Sequence, residues 1–95
     1  MRANITKIKV SKPHNQAFGT VLVRLRRSKK LSQEKLGFDA DLTREFVSLL
    51  ERGQRSPSLD TQLALCAALG ISLDQMAAMI VAELDKLPRT DGTNP

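Results

Sequence analysis

The chain has 95 residues, of which 41% are hydrophobic, and a formal net charge of +5, as expected for one small globular domain. Its single cysteine cannot form an internal disulfide, and one cysteine with one histidine makes no zinc set, so we expect no metal or cofactor. No apolar run approaches the ~20 residues that span a bilayer, and no Ser–His–acid or paired-carboxylate arrangement is evident. These absences predict a cytoplasmic protein that is neither an enzyme nor membrane-bound.

The basic charge is concentrated at one end of the chain. The first 33 residues contain nine Lys or Arg and no Asp or Glu, whereas residues 31–72 carry four basic and six acidic side chains. A one-sided basic surface suits DNA, although basic charge also keeps small proteins soluble. Composition alone leaves these two interpretations about even.

The first predicted element is a basic, flexible N-terminal segment, residues 1–12, because chain termini are usually loose. Within it, Ile and Val alternate with Lys over Lys7–Val10, so a short strand or an arm that wraps DNA are the alternatives. A first helix is expected at about His14–Lys29, with Pro13 suited to its first turn.

Two short helices are predicted between residues 32 and 53, with Ser32 and Thr43 as their N-caps. Gly53 is placed to end the second of them in a left-handed conformation. Their apolar residues are spaced to bury one face of each helix, which leaves polar side chains outside. Two braced helices of this length are typical of a helix-turn-helix that enters the DNA major groove.

A fourth helix is expected after Ser58, ending at Gly70, with Leu59, Leu65, Cys66 and Leu69 on its inner side. A fifth helix begins with a capping box at Ser72 and continues to Leu87, where Pro88 stops it. Residues 88–95 are expected to form a flexible tail. All signals but the uncertain Lys7–Val10 piece are helical, so the predicted fold class is all-α, with one domain over residues 13–87.

The pieces SQEKL, LERGQRSPSL and ALGISLDQM, in this order and spacing, resemble the lambda Cro/C1 repressor class, called the XRE family. The resemblance covers roughly Phe18 to Met76. It implies a five-helix lambda-repressor-like domain, here with an extended fifth helix, that binds double-stranded operator DNA and is usually a homodimer.

The resemblance also implies roles for individual side chains. DNA contacts are expected from Gln33, Thr43, Arg44, Glu45, Ser48, Arg52, Gln54 and Arg55. Among these, Arg44 can bond guanine and Glu45 can accept from cytosine, whereas Gln33 and Arg55 suit phosphates. The alternative for Thr43 is that it only caps the helix, and for the others it is a plain solvated side chain.

Arg26 and Glu51 stand where the family places a partly buried ion pair joining the first and third helices. Two positions depart from the family pattern. Asp41 stands where Gly is common, and it tolerates the left-handed conformation better than most residues. Gly37 stands where Ala is usual; it preserves close packing but costs helix propensity, ~1 kcal/mol.

We expect Ile80, Leu84 and Leu87 to bury against a second chain, which would place two recognition helices one DNA turn apart on a palindrome. The alternative is that the fifth helix folds back over the first and covers Val21 and Val23.

The leading functional hypothesis is a bacterial or phage transcriptional regulator that acts as a repressor in the cytoplasm, in association with the nucleoid. An antitoxin, a restriction–modification controller, or an interaction module that has lost DNA binding are the alternatives. A protein partner, such as a toxin or a polymerase, is compatible with each of them.

Overall fold

The structure, a computed structural model, describes residues 12–87. The expectations for the basic segment up to residue 11, for the stop at Pro88 and for the tail lie outside this range. The described residues form five helices and no strand, so the predicted all-α class is confirmed. The helices are α1 (Pro13–Ser28), α2 (Gln33–Ala40), α3 (Arg44–Glu51), α4 (Leu59–Leu69) and α5 (Leu73–Leu84).

Four of the helices begin at a hydroxyl side chain that accepts a hydrogen bond from the backbone N–H three residues later. The acceptors are Ser32 (2.9 Å), Thr43 (3.0 Å), Ser58 (3.1 Å) and Ser72 (3.2 Å). Each bond satisfies an N–H that the first turn of a helix leaves free. At α5 the Gln75 side chain also accepts from the Ser72 N–H, so the predicted capping box is present.

The first four helices share one type of ending. Lys30, Asp41, Gly53 and Gly70 all have a positive φ, between 60° and 73°. At each end two backbone N–H groups turn back to carbonyls of the last turn; Gln54 N to Leu49 O and Gly53 N to Leu50 O are one such pair. This is the Schellman arrangement. The left-handed conformation predicted at Gly53, and thought tolerable at Asp41, is confirmed, whereas that of Lys30 was not foreseen.

An aliphatic core lies where α1 packs against α3 and α5, and where α2 packs against α3 and α4. Its fully buried side chains include Val21, Leu22, Leu36, Val47, Leu50, Leu65, Leu69 and Met76. The expectation that Leu59 lines the inner side of α4 is wrong, because Leu59 is 58% exposed. It is the first residue of α4, and that first turn extends past the core.

The last helix packs against α1, as the fold-back alternative requires; Val21 is fully buried and Val23 half-buried. Arg24 of α1 contacts Glu83 of α5 at 2.9 Å, which holds the pKa of the Glu83 carboxyl below its ordinary value. The α-helix ends at Leu84, and tight turns continue to Leu87, three residues short of the expected helical length. In these turns the backbone hydrogen bonds join residues three apart instead of four, as where the N–H of Leu87 donates to the carbonyl of Leu84.

Within residues 12–87 no single helix is both long and apolar enough to cross a bilayer, although α4 and α5 together pass that test as a pair bent by 104°.

Three helices are joined by the Glu51 cluster, which we define as Glu51, Arg26 and Gln33. Glu51 of α3 accepts from Arg26 of α1 through Nε (2.5 Å) and Nη2 (3.2 Å). The Gln33 amide of α2 donates to the same carboxylate at 2.8 Å. Arg26 Nη1 also donates to the carbonyl of Leu31, between α1 and α2. One largely buried carboxylate therefore fixes the relative positions of α1, α2 and α3.

Two glycines allow these helices to approach closely. A Cβ at Gly19 would lie 2.5 Å from the carbonyl oxygen of Glu51, and one at Gly37 would lie 2.6 Å from that of Leu42. Both obstacles are backbone atoms, so neither can move aside without shifting a helix. Gly37 therefore sits where a larger residue would force α2 away from the turn before α3.

We expect Gly37→Ala to lower the free energy of unfolding by about 1–3 kcal/mol, because the added methyl overpacks a backbone contact. Helix propensity alone predicts the opposite sign, a gain of ~1 kcal/mol. Urea denaturation measures the difference. Thr20→Ala, at an exposed position of α1, is the control and should be neutral or slightly stabilising; a stabilised Gly37→Ala protein would contradict the packing described here.

We expect Glu51→Ala to lower the free energy of unfolding by about 3–5 kcal/mol, because it leaves the Arg26 guanidinium buried without its counter-charge. The side chains of this pair are only 11% and 5% exposed. Arg24→Ala, which breaks the more exposed pair with Glu83, should cost much less. Equal losses in the two variants would show that burial does not distinguish these ion pairs.

Candidate nucleic-acid interface

The helix-turn-helix consists of α2, a three-residue turn and α3, and it fills the predicted segment. In the turn, Asp41 takes the left-handed conformation, Leu42 packs against the core and Thr43 caps α3. Val47 and Leu50 are fully buried and anchor α3 to the rest of the domain. Because these two residues fix the rotation of α3 about its axis, they also determine which side chains face solvent.

The recognition face, defined as Thr43, Arg44, Glu45 and Ser48, lies on the opposite side of α3. Thr43, Arg44 and Glu45 are exposed, and Ser48 is half-buried. Arg44 Nη2 is 3.6 Å from Glu45 Oε2, and the two side chains are 57% and 74% exposed. An ion pair so exposed to water is weak. Either side chain can therefore leave it and bind another partner with little loss of free energy. The Thr43 hydroxyl already accepts from the Phe46 N–H.

The loop from α3 to α4 extends this exposed surface with Arg52, Gln54 and Arg55. Arg52 Nε turns back to the carbonyl of Ser48, at 3.4 Å. Arg55 lies over the half-buried ring of Phe46, with its guanidinium carbon 5.5 Å from the ring centre. No sequence pattern predicts this stacking, because nine positions separate the two residues and no helical spacing relates them.

Gln33 is placed differently from the other predicted contact residues. It is half-buried at the first position of α2, and its amide donates to Glu51. One of its two N–H groups is therefore used inside the protein. The other predicted residues lie at the N-cap of α3, on its outer face and in the loop after it, whereas Gln33 is joined to α3 through the Glu51 cluster.

Three of the six acidic residues between positions 31 and 72 pair with basic groups. Glu51 pairs with Arg26, Asp39 with Lys35 at 3.2 Å, and Glu45 with Arg44. Lys35 and Arg44 already belong to this segment's charge count, so only Arg26, which comes from α1, reduces its net negative charge, by one unit.

The described part of the chain offers no site for metal chemistry. Among residues 12–87 no group of three or more His, Cys, Asp or Glu side chains is placed to hold a metal ion. Cys66 lies in the core, 3.8 Å from the sulfur of Met76, and burial raises the pKa of its thiol. A thiol in this environment is protonated and behaves as a small apolar side chain.

Comparison with known proteins identifies relatives of the same architecture. The control protein C.BamHI of Bacillus amyloliquefaciens is 46% identical over 55 residues, which cover 57% of this chain and 68% of that protein. The control protein C.MunI of Mycoplasma sp is 39% identical over 67 residues, covering 70% and 90%. The crystal structure of the restriction–modification controller protein C.AhdI of Aeromonas hydrophila matches with a TM-score of 0.67 and 42% identity, over 68% of this chain and 98% of that one.

The family itself follows from a separate comparison. The sequence profile of a helix-turn-helix family matches residues 22–76, which is more than half of the chain and contains both α2 and α3. The chain therefore belongs to the helix-turn-helix family of DNA-binding regulators of the Cro/C1, or XRE, type.

Proposed function

We propose that this protein is a bacterial or phage regulator that binds a palindromic double-stranded DNA operator in the cytoplasm, in association with the nucleoid, and represses transcription. The observation that carries the proposal is the recognition face, whose Arg44 and Glu45 are exposed while Val47 and Leu50 hold α3 rigidly from behind. A helix presented in this way fits the major groove, with its N-terminal residues at the base edges.

Each side chain has a role suited to its chemistry. Arg44 bonds guanine through O6 and N7, and Glu45 accepts from the amino group of cytosine, so together they read a step that contains a G·C pair. Ser48 and Thr43 contact a base edge or the backbone beside it. Arg52, Gln54, Arg55 and the remaining N–H of Gln33 bond phosphates and set the register of α3.

An interaction module that has lost DNA binding is the rival, and the net acidic composition of residues 31–72 is the feature in its favour. The internal pairing of Asp39 and Glu51 weakens that argument, since each of these carboxylates already has a basic partner. Arg55 is exposed and held over Phe46, which leaves its N–H groups available to a phosphate.

We expect duplex DNA carrying the operator to bind with an affinity that falls steeply with salt, because each neutralised phosphate releases counterions. The slope of log affinity against log salt should be about −0.9 for each such contact. Fluorescence anisotropy across a salt series measures it. A protein that shifts no duplex at low salt would refute DNA binding and support the interaction module.

The same assay tests direct readout. Arg44→Ala should lose about 1–3 kcal/mol of discrimination at one base position while other positions keep theirs. Arg24→Ala, which removes an arginine from the α1–α5 contact, is the matched control and should leave discrimination unchanged. A uniform loss on all sequences would place Arg44 on a phosphate instead.

The proposed dimer uses the outer face of α5. Val81 is 57% exposed and Leu84 36%, and the neighbouring Ala77 and Ala78 are exposed as well. Ile80, by contrast, is half-buried and packs against the core of its own chain, and Leu87 is half-buried beyond the helix. Val81 and Leu84 are thus better placed than Ile80 to contact a second copy. In the proposed dimer, Val81 replaces Ile80 as an interface residue, and Leu84 and Leu87 remain interface residues.

We expect Val81→Glu to convert the dimer to a monomer, because the new carboxylate would be buried against its own copy across a two-fold axis. Sedimentation at micromolar concentration measures the change. Phe38→Glu, at the 79% exposed aromatic of α2, should leave the mass unchanged. A wild-type protein that is a strict monomer would remove the dimer from the proposal.

Control of a restriction–modification system is a second candidate, favoured by the similarity to C.BamHI, C.MunI and C.AhdI. Under it, the operator would lie in front of genes for an endonuclease and a methyltransferase. Selection of binding sites from random duplexes, followed by their location in the source genome, distinguishes this role from that of a general repressor.

A further inference from the structure

Arg55 contacts an aromatic ring, whereas the other described arginines with a contact inside the protein contact oxygen atoms. Arg26 gives three nitrogens to Glu51 and Leu31, and Arg24 gives one to Glu83. Arg55 instead contacts the ring of Phe46, with 5.5 Å between the guanidinium carbon and the ring centre. An aromatic face attracts the cation without accepting its N–H groups in ordinary hydrogen bonds.

The Phe46 ring can act as a fixed support. Phe46 is half-buried, packs against the core, and belongs to α3 itself. The backbone between α3 and Arg55 is also fixed, because Gly53 and Gln54 bond back to Leu50 and Leu49. Both ends of the contact are therefore attached to the helix that bears the recognition face.

From this geometry we propose that Phe46 positions Arg55 for a DNA phosphate: the ring holds the guanidinium in place and leaves its N–H groups for the anion. A guanidinium already near its bound position loses less rotamer entropy when the phosphate arrives. This inference rests on the proposed DNA binding, and it assigns to Phe46 a role through Arg55 and no contact with a base.

A double-mutant cycle on the operator duplex tests this role, with binding followed by anisotropy. Phe46→Leu should weaken binding about two- to fivefold in the wild-type background, the range of an exposed cation–π contact. In the Arg55→Ala background the same change should cause no further loss, because there is no guanidinium left to position. Phe46→Tyr, which keeps an aromatic face, should restore binding. Equal losses in both backgrounds would overturn the proposal.

The salt dependence gives a readout that a purely structural role would not move. The slope for Phe46→Leu should shift from the wild-type value toward that of Arg55→Ala, which loses ~0.9, because an unsupported guanidinium occupies its phosphate for less of the time. An unchanged slope would count against the proposal. Phe38→Leu is the matched control, because it removes the other stacked ring, beneath Lys35 at 5.5 Å, and should leave affinity and slope unaltered.

A measurement on the free wild-type protein keeps the test independent of how well the variants fold. The side-chain protons of Arg55 should show an upfield NMR shift from the ring of Phe46, and random-coil shifts there would refute the stacking. The two levels of proposal also fail differently. If the wild-type chain binds no duplex at low salt, the proposed function fails; if it binds but the cycle is additive, only the role of Phe46 fails.

Discussion

The carboxylate of Glu51 is the point on which the arrangement of this domain depends. It sits in the last turn of α3 and accepts hydrogen bonds from Arg26 of α1 and Gln33 of α2. A largely buried carboxylate destabilises the fold unless hydrogen-bond donors surround it. Because its donors come from α1 and α2, satisfying it holds the three helices together. Since α3 carries the recognition face, the bond network that satisfies one buried charge also fixes how that face is presented.

Helix α3 also supports two expected DNA contacts from outside it, Gln33 and Arg55. Gln33 bonds Glu51 on one side and retains an N–H on the other, and Arg55 is supported by Phe46 of the same helix. The expected contacts come from three parts of the chain: the start of α2, the outer face of α3 and the following loop. All three are held in place by α3. Such preorganisation matters for recognition, because every side chain that is ordered only on binding reduces the net affinity.

Much of this arrangement could be predicted from the sequence, and its limits have physical reasons. The helix starts were predictable because a capping hydroxyl acts within three residues of chain, as at Ser32 and Ser72. The exposed face of α3 followed from the spacing of Val47 and Leu50, and the fold from the resemblance over Phe18 to Met76. The position of Leu59 was missed, since periodicity gives the side of a helix but not where the core ends. The stacking of Arg55 on Phe46 and the close approach at Gly19 depend on contacts across the fold, which no local pattern encodes.

The four matching helix ends have an evolutionary consequence. At two of them the left-handed residue is Gly53 or Gly70, but at the other two it is Lys30 or Asp41, whose side chains make that conformation less favourable by roughly 1–2 kcal/mol at most. Glycine at either site would relieve the strain without touching the recognition face. Substitution by glycine at these sites would thus make the domain more stable. A protein stabilised in this way could tolerate otherwise destabilising substitutions in α3 while its target sequence changes.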